Sequence, residues 1–67
     1  MRLNYLGKTA SSTVGDCPAL YATDRGTFVV QGKIVTDPAA ISDLRNLAPD
    51  ETCVEVPGDV LRLIERA

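Results

Sequence analysis

The stretch "CPALYATDRGTFVVQG", residues 17–32, decides how this chain folds. Residues 19–23 and 27–30 are rich in β-branched and aromatic side chains, which favour strands. Residues 24–26, Asp-Arg-Gly, have the composition of a three-residue hairpin loop, in which a type I turn precedes a residue in the left-handed conformation. Gly26 is predicted to be that residue, because it has no Cβ to clash.

The hairpin is predicted to continue into a third strand at residues 33–36. Gln31-Gly32 forms either a tight turn or a glycine bulge, and in both cases residues 19–36 make a three-stranded antiparallel meander. The two versions differ by one residue of register, which decides the face of every later side chain. A bulge places Phe28, Val30 and Ile34 on one face, whereas a turn places Phe28, Val30 and Val35 on one face and Val29 and Ile34 on the other.

The second half of the chain predicts a helix and a further strand. Asp37 is a good N-cap and Pro38 suits the first helical position. Apolar residues then recur at helical spacing until Pro49, so the helix is expected over 38–48. Residues 51–56 alternate as a strand, and residues 1–8 alternate loosely, as a short edge strand does.

The last segment, residues 58–66, predicts either a strand after a proline-glycine turn or a helix. The helix is favoured, because it places Arg62, Glu65 and Arg66 together on the solvent side. In that helix Val60, Leu61 and Ile64 are expected to face inward.

These elements predict one small α+β domain spanning residues 1–67. Its three- to four-stranded antiparallel sheet, formed by the meander 19–36 and the strand 51–56, is expected to pack on the helix 38–48, with a helix or strand at 58–66 completing the fold. A chain of 67 residues buries only about 60% of the surface that its unfolded form exposes. A core this small provides little net stability, and we expect a protein partner to supply additional stabilisation.

The composition disfavours catalysis and metal binding. The chain has no histidine and two cysteines, so it can form neither a Ser-His nor a Cys-His pair, and it lacks the four close-spaced ligands of a structural zinc site. We therefore expect no catalytic residue, no metal and no cofactor. Cys17 and Cys53 are expected to be buried thiols, with a disulfide between them as the alternative.

Charge and hydropathy bear on partners and location. The net charge is −2, and the seven Lys and Arg residues are spread along the chain, whereas nucleic-acid-binding domains carry a clustered basic face. No apolar stretch approaches the ~20 residues of a membrane span. Residues 1–12 contain no apolar segment typical of a secretory signal, so a cytoplasmic location is expected.

A protein-binding surface is predicted around the hairpin. The loop tip presents Asp24 and Arg25 near Tyr21 and Phe28, and tyrosine and arginine are enriched at protein interfaces. The second face of the sheet keeps apolar side chains that one small core cannot cover. The candidate partner-binding residues are Tyr21, Asp24, Arg25, Phe28, Val29, Ile34 and Val35.

The stretch from about residue 10 to residue 38 resembles small acidic actinobacterial proteins that are encoded beside helix-turn-helix regulators, a grouping that includes the BldB-like family. The resemblance rests on the serine pair Ser11-Ser12, on Cys17 opening a strand, on the hairpin around Gly26 and on Asp37-Pro38. It covers under half of the chain.

The chain also departs from the BldB-like pattern, which indicates a sister group. It has no tryptophan, and its "CVEV" stands at residues 53–56 instead of directly after the spacer. The resemblance implies a protein partner, a helix-turn-helix transcription regulator, and no catalytic residue. The function expected is thus a non-enzymatic interaction module that binds such a regulator or forms a homodimer; the alternative is a small DNA-binding or antitoxin-like module.

Overall fold

The structure, a computed structural model, describes residues 1–11 and 17–67. Within them the chain forms a three-stranded antiparallel sheet, a second sheet of two strands and short helices, so the predicted small α+β fold is confirmed. The elements in chain order are β1 (Leu3–Lys8), β2 (Ala19–Thr23), β3 (Phe28–Gln31), β4 (Lys33–Ile34), α1 (Pro38–Ser42), β5 (Val54–Glu55), α2 (Gly58–Leu61) and a 3-10 helix (Arg62–Arg66).

The predicted hairpin is present between β2 and β3. The Thr23 N–H donates to the Thr27 carbonyl at 2.9 Å and closes a three-residue loop. Gly26 has φ +77°, as the loop type requires. The two threonine hydroxyls lie 2.7 Å apart and add a second link at the base of the loop.

The third strand of the main sheet is β1, not residues 33–36, so the predicted meander 19–36 is wrong beyond β3. The sheet order is β1-β2-β3, and β4 pairs with β5 in a separate sheet. Gly32 marks the point where the chain leaves the main sheet. A Cβ placed there would lie 2.6 Å from Val56 Cγ1 and 2.7 Å from the Glu55 carbonyl oxygen. This close approach, which only glycine permits, directs the chain towards β5.

The core lies between one face of the main sheet and the C-terminal helices. Leu6 and Leu20 from the sheet pack with Val60 and Leu63, and Ala22, Val30 and Val56 are partly buried against them. Val30 lies opposite Leu20, and Phe28 lies opposite Ala22. Phe28 and Val30 therefore share this inner face, as both predicted registers required, while Ile34 lies in the other sheet and is 66% exposed.

The C-terminal segment is helical, as favoured from the sequence. The residues that face inward differ in part from those predicted. Val60 and Leu63 are buried, whereas Leu61 and Ile64 are exposed. The cause is geometric, because the α-helix tightens to a 3-10 helix at Arg62, and side chains three residues apart then point the same way.

Helix α1 is much shorter than the predicted 38–48 and does not pack on the main sheet. Its start is as predicted, with the Asp37 Oδ1 accepting from the Ala39 N–H at 2.9 Å and Pro38 in the first turn. It ends at Ser42, and Asn46 adopts a left-handed φ of +58°. No residue of α1 is buried. Without a surface to cover its apolar stripe, a longer helix gains little over the coil, because isolated short helices are marginal in water.

The predicted strand 51–56 is reduced to Val54–Glu55. It pairs with β4 through Ile34 opposite Val54 and Lys33 opposite Glu55. The Val35 N–H donates to the Cys53 carbonyl at 3.1 Å and extends the ladder by one bond.

The expectation of two buried thiols is wrong for Cys17, which is exposed, while Cys53 is half-buried. No disulfide joins them. Cys17 precedes β2 and Cys53 precedes β5, strands that belong to different sheets.

Candidate protein-binding surface

The face of the main sheet that is turned away from the core carries a row of large side chains. Tyr5 lies opposite Tyr21, and Tyr21 lies opposite Val29, so one side chain from each strand stands in line. Leu3 lies two residues before Tyr5 and points the same way. We call these four residues, Leu3, Tyr5, Tyr21 and Val29, the outer patch. Tyr5 is 56% exposed and Leu3 49% exposed, and the other two are half-buried.

The two tyrosines of the outer patch hold each other in place. Their ring centroids are 5.6 Å apart with an interplanar angle of 55°, a tilted arrangement within the favourable range for aromatic pairs. The Tyr21 hydroxyl donates to Gln31 Oε1 at 2.6 Å. These contacts orient both rings within the chain itself, which would lower the entropy lost on binding.

The described residues that the three strands place around the outer patch are largely uncharged. Thr23 lies opposite Leu3, and Gln31 lies opposite Ala19. The basic residue on this face is Lys8, at the far corner, opposite Ala19. Ala19 is buried, so the exposed apolar area is confined to the half of the face near Leu3 and Tyr5. Covering the outer patch would therefore desolvate few charges, which would keep the cost of binding low.

The structure separates the seven partner-binding residues predicted from the sequence. Tyr21 and Val29 lie in the outer patch, and Phe28 lies on the inner face, at its exposed margin. The loop-tip residues Asp24 and Arg25 are exposed beyond the strands, and Ile34 and Val35 belong to the second-sheet region. The prediction missed Leu3 and Tyr5. Their alternation with Arg2 and Asn4 signals a strand, but it does not reveal that this strand lies beside β2.

The free edge of β1 is poorly suited to accept another strand. A bulge between Tyr5 and Gly7 interrupts its register. In addition, Arg66 Nη1 donates to the Leu6 carbonyl at 3.1 Å. Bulges and charged side chains of this kind protect edge strands from pairing with other chains. The face of the sheet, rather than this edge, is the candidate site.

A polar cluster behind the sheet joins the exit of β1 to the start of α2. The Thr9 hydroxyl donates to the two carboxylate oxygens of Asp59 at 2.9 and 3.1 Å, and the Ala10 N–H donates to Oδ2 at 2.9 Å. These bonds, from the Ala10 N–H first and the Thr9 hydroxyl second, lower the pKa of the Asp59 carboxyl. Thr9 is fully buried. The cluster is a structural clamp that local sequence patterns do not predict, because its partners are 50 residues apart.

Among residues 1–11 and 17–67, no three His, Cys, Asp or Glu side chains are grouped so that they could hold a metal ion. None of the helices in this part of the chain has the length and apolar character needed to cross a bilayer.

Comparison of the chain with protein-family models, with curated proteins and with solved structures finds no match in any of the three.

Proposed function

We propose that this chain is a non-enzymatic protein–protein interaction domain and that its outer patch contacts the partner. The observation that carries the proposal is the row of Tyr5, Tyr21 and Val29 across three adjacent strands, in which Tyr5 is exposed and the other two are half-buried. Tyrosine is among the residues that most often dominate binding energy at interfaces. The two rings are also held in a fixed geometry.

The small core supports the same proposal. Only four large aliphatic side chains, Leu6, Leu20, Val60 and Leu63, are buried together among the described residues. Domains of this size often gain stability from association, because binding to the folded state alone shifts the folding equilibrium. Covering the outer patch would add apolar burial on the face that the core leaves exposed.

The partner in this proposal is a helix-turn-helix transcription regulator of an actinobacterium, acting in the cytoplasm. This part rests on the resemblance of residues 10–38 to proteins encoded beside such regulators. A homodimer formed through the same face is a second form of the proposed function. The face suits it, since two copies would meet without opposing carboxylates.

Co-purification of the tagged chain from an actinobacterial host, with the captured proteins identified by mass spectrometry, tests the proposal. The double variant Tyr5→Ser/Val29→Thr removes the exposed ring and one apolar group, while threonine at position 29 keeps strand propensity. We expect it to lose a helix-turn-helix regulator that the unaltered chain retains. Leu61→Ser is the matched control, because Leu61 is 59% exposed and lies on α2, which packs against the inner face of the main sheet.

Sedimentation equilibrium separates the two forms of the proposal. A homodimer gives a mass that rises with concentration and returns to that of the monomer in the Tyr5→Ser/Val29→Thr variant. A strictly monomeric chain that retains no regulator contradicts the proposal in both forms.

The DNA-binding alternative makes a different prediction. Contacts to phosphates release counterions, so the affinity must fall steeply as salt increases. Titration of labelled duplex DNA at low salt, repeated at higher salt, measures this directly. Tight, salt-sensitive binding that is unaffected by the outer-patch variant would replace the interaction domain with a nucleic-acid-binding module.

A further inference from the structure

An apolar groove lies away from the outer patch, between the second sheet and α1. Its volume is about 390 Å³. Its floor and walls are formed by half-buried Val35, Ala40, Cys53 and Val54 and by the exposed Leu44, and carboxylates stand at its rim, from Asp37 and Glu55. We call this the α1 groove.

The segment that forms the α1 groove has no buried residue. Every residue from 33 to 55 is half-buried or exposed. Four large aliphatic side chains in this segment are exposed to solvent, namely Ile34, Ile41, Leu44 and Leu47. This segment therefore presents apolar surface that no other described part of the chain covers.

The same segment carries most of the negative charge. Residues 33–55 contain five acidic and two basic residues, a net charge of −3, while the rest of the chain has four acidic and five basic residues and a net charge of +1. All five of these carboxylates, on Asp37, Asp43, Asp50, Glu51 and Glu55, are exposed. Lys33 lies opposite Glu55 on β4 and is one of the two basic residues. The α1 groove thus combines an apolar floor with two lining carboxylates, in a segment of net negative charge.

We propose that the α1 groove binds a basic amphipathic helix of a partner protein. Aliphatic side chains on one face of that helix would contact Val35, Leu44 and Val54, and its Lys or Arg residues would lie near Asp37 and Glu55. Recognition of this kind uses a few apolar anchors at i, i+3 or i+4, and i+7. Complementary charge steers the encounter and sets the orientation of the helix. This surface is separate from the outer patch, so the inference does not depend on the proposed function.

The geometry disfavours the other occupants. Strands β4 and β5 have two residues each, too short to bind a peptide as an added strand. A second copy placed symmetrically would bring the same net charge of −3 against itself, and like charges brought together oppose association. A small molecule would stay largely in solvent, because the lining residues are themselves only half-buried or exposed.

Titration of the isotopically labelled full chain with a synthetic helical peptide, followed by two-dimensional NMR, tests the inference. The probe is a peptide of about 15 residues of Leu, Ala and Lys, with leucines at i, i+4, i+7 and i+11 and lysines on the remaining faces. One control peptide has the same composition with leucines distributed around the helix, and another has Glu in place of every Lys. We expect the amides of Val35, Ala40, Leu44 and Val54 to shift with the first peptide, and the affinity to decrease as salt screens the charges.

Two variants of the chain with matched controls complete the test. Leu44→Ala removes the most exposed anchor and is expected to weaken binding roughly fivefold or more, as truncation of a central interface residue does. Glu55→Gln removes one rim charge and is expected to weaken binding by about two- to fivefold. Leu61→Ala and Asp24→Asn make the same chemical changes at exposed positions elsewhere, and they should leave the affinity unchanged. Circular dichroism of each variant confirms that it remains folded.

Four results would overturn the inference. The first is no binding of the amphipathic peptide, and the second is equal binding of the redistributed or the Glu-containing peptide. The third is a set of shifts centred on Leu3, Tyr5, Tyr21 and Val29, which would place the peptide on the outer patch. The fourth is a shift of the groove amides with protein concentration alone, which would identify the occupant as a second copy.

Discussion

Asp59 shows how much one side chain can hold together in a small domain. Its carboxylate accepts hydrogen bonds from the Thr9 hydroxyl and the Ala10 N–H, and so ties the exit of β1 to the first turn of α2. Both donors favour the ionised carboxylate, which is why its pKa lies below the ordinary value of 3.8. The same bonds therefore link the stability of the fold to pH.

We expect acid to weaken the fold through Asp59. The pKa of the Asp59 carboxyl is lower in the folded than in the unfolded chain. In the pH range between these two pKa values, the unfolded chain therefore binds more protons. The stabilisation is complete above pH 3.8 and is lost as the pH falls through the lowered folded pKa. Thermal unfolding of the unaltered chain and of Asp59→Asn, followed from about pH 5 to about pH 2, measures this contribution. The variant should melt at a lower temperature at pH 5 and change less steeply in acid.

Asp24→Asn is the control for that measurement, because Asp24 is exposed at the hairpin tip. It should keep the acid dependence of the unaltered chain. If Asp59→Asn keeps that dependence as well, the clamp contributes nothing to acid sensitivity.

Replacement by alanine is expected to change the unfolding free energy in opposite directions at two glycines, Gly32 and Gly58. In Gly32→Ala the new Cβ meets the Glu55 carbonyl oxygen at 2.7 Å, and a backbone atom cannot rotate away, so we expect a loss of about 1–3 kcal/mol in unfolding free energy. At Gly58 nothing lies within 4 Å, and Gly58→Ala in the first turn of α2 should stabilise the fold by about 0.4–1 kcal/mol. Urea denaturation midpoints of the two variants should move in opposite directions. An unchanged midpoint for Gly32→Ala would show that β5 can shift away.

At the scale of single elements, the C-terminal helices matter more than α1. Val60 and Leu63 complete the core, whereas α1 buries no residue. The sequence predicts both segments by the same apolar spacing and even assigns the longer helix to residues 38–48. Apolar spacing shows which side chains could be buried together. It does not show which segment packs against another element, and this packing decides how far a helix extends.

We expect Leu63→Ala to cost about 2–5 kcal/mol, as removal of a buried leucine side chain usually does. A core of this size supplies only about 3–5 kcal/mol of net stability, so the variant should be partly unfolded at room temperature. Leu61→Ala, on the same C-terminal segment but 59% exposed, should change stability by less than about 0.5 kcal/mol. Circular dichroism and urea denaturation at low temperature measure both. Equal losses in the two variants would mean that α2 does not close the core as described.

The hairpin is the element that the sequence predicts best, since its signals are local. Strands β2 and β3 and the role of Gly26 in the loop can be predicted from residues that are close together in the sequence. The pairing of β1 with β2, and of β4 with β5, depends on contacts between distant residues. The outer patch was therefore only half predictable: Tyr21 and Val29 follow from the hairpin, but Tyr5 joins them through the strand order.

On the scale of the whole molecule, the chain divides into two parts of different burial. Strands β1–β3 and the C-terminal helices share the core, while residues 33–55 include no buried residue. Local stability follows burial, because regions with few buried contacts open without global unfolding.

Native-state hydrogen exchange should reveal this division. The Val35 amide, bonded to the Cys53 carbonyl at 3.1 Å, should exchange at least about tenfold faster than the slowest amides of the central strand β2. The comparison is informative because both amides are hydrogen-bonded and differ in the burial around them. Equal protection would mean that the second sheet unfolds only together with the core.

The clamp between Thr9 and Asp59 and the bond between Leu6 and Arg66 join residues 50 and 60 positions apart. During synthesis on the ribosome, the hairpin of β2 and β3 can form early, but Leu6 and Leu20 stay uncovered until residues 60–66 have emerged. Non-local contacts of this kind are formed late and slow the folding of a chain. The inner face of the main sheet can therefore be covered only after residues 60–66 are available, which makes closure of the core a late step in folding.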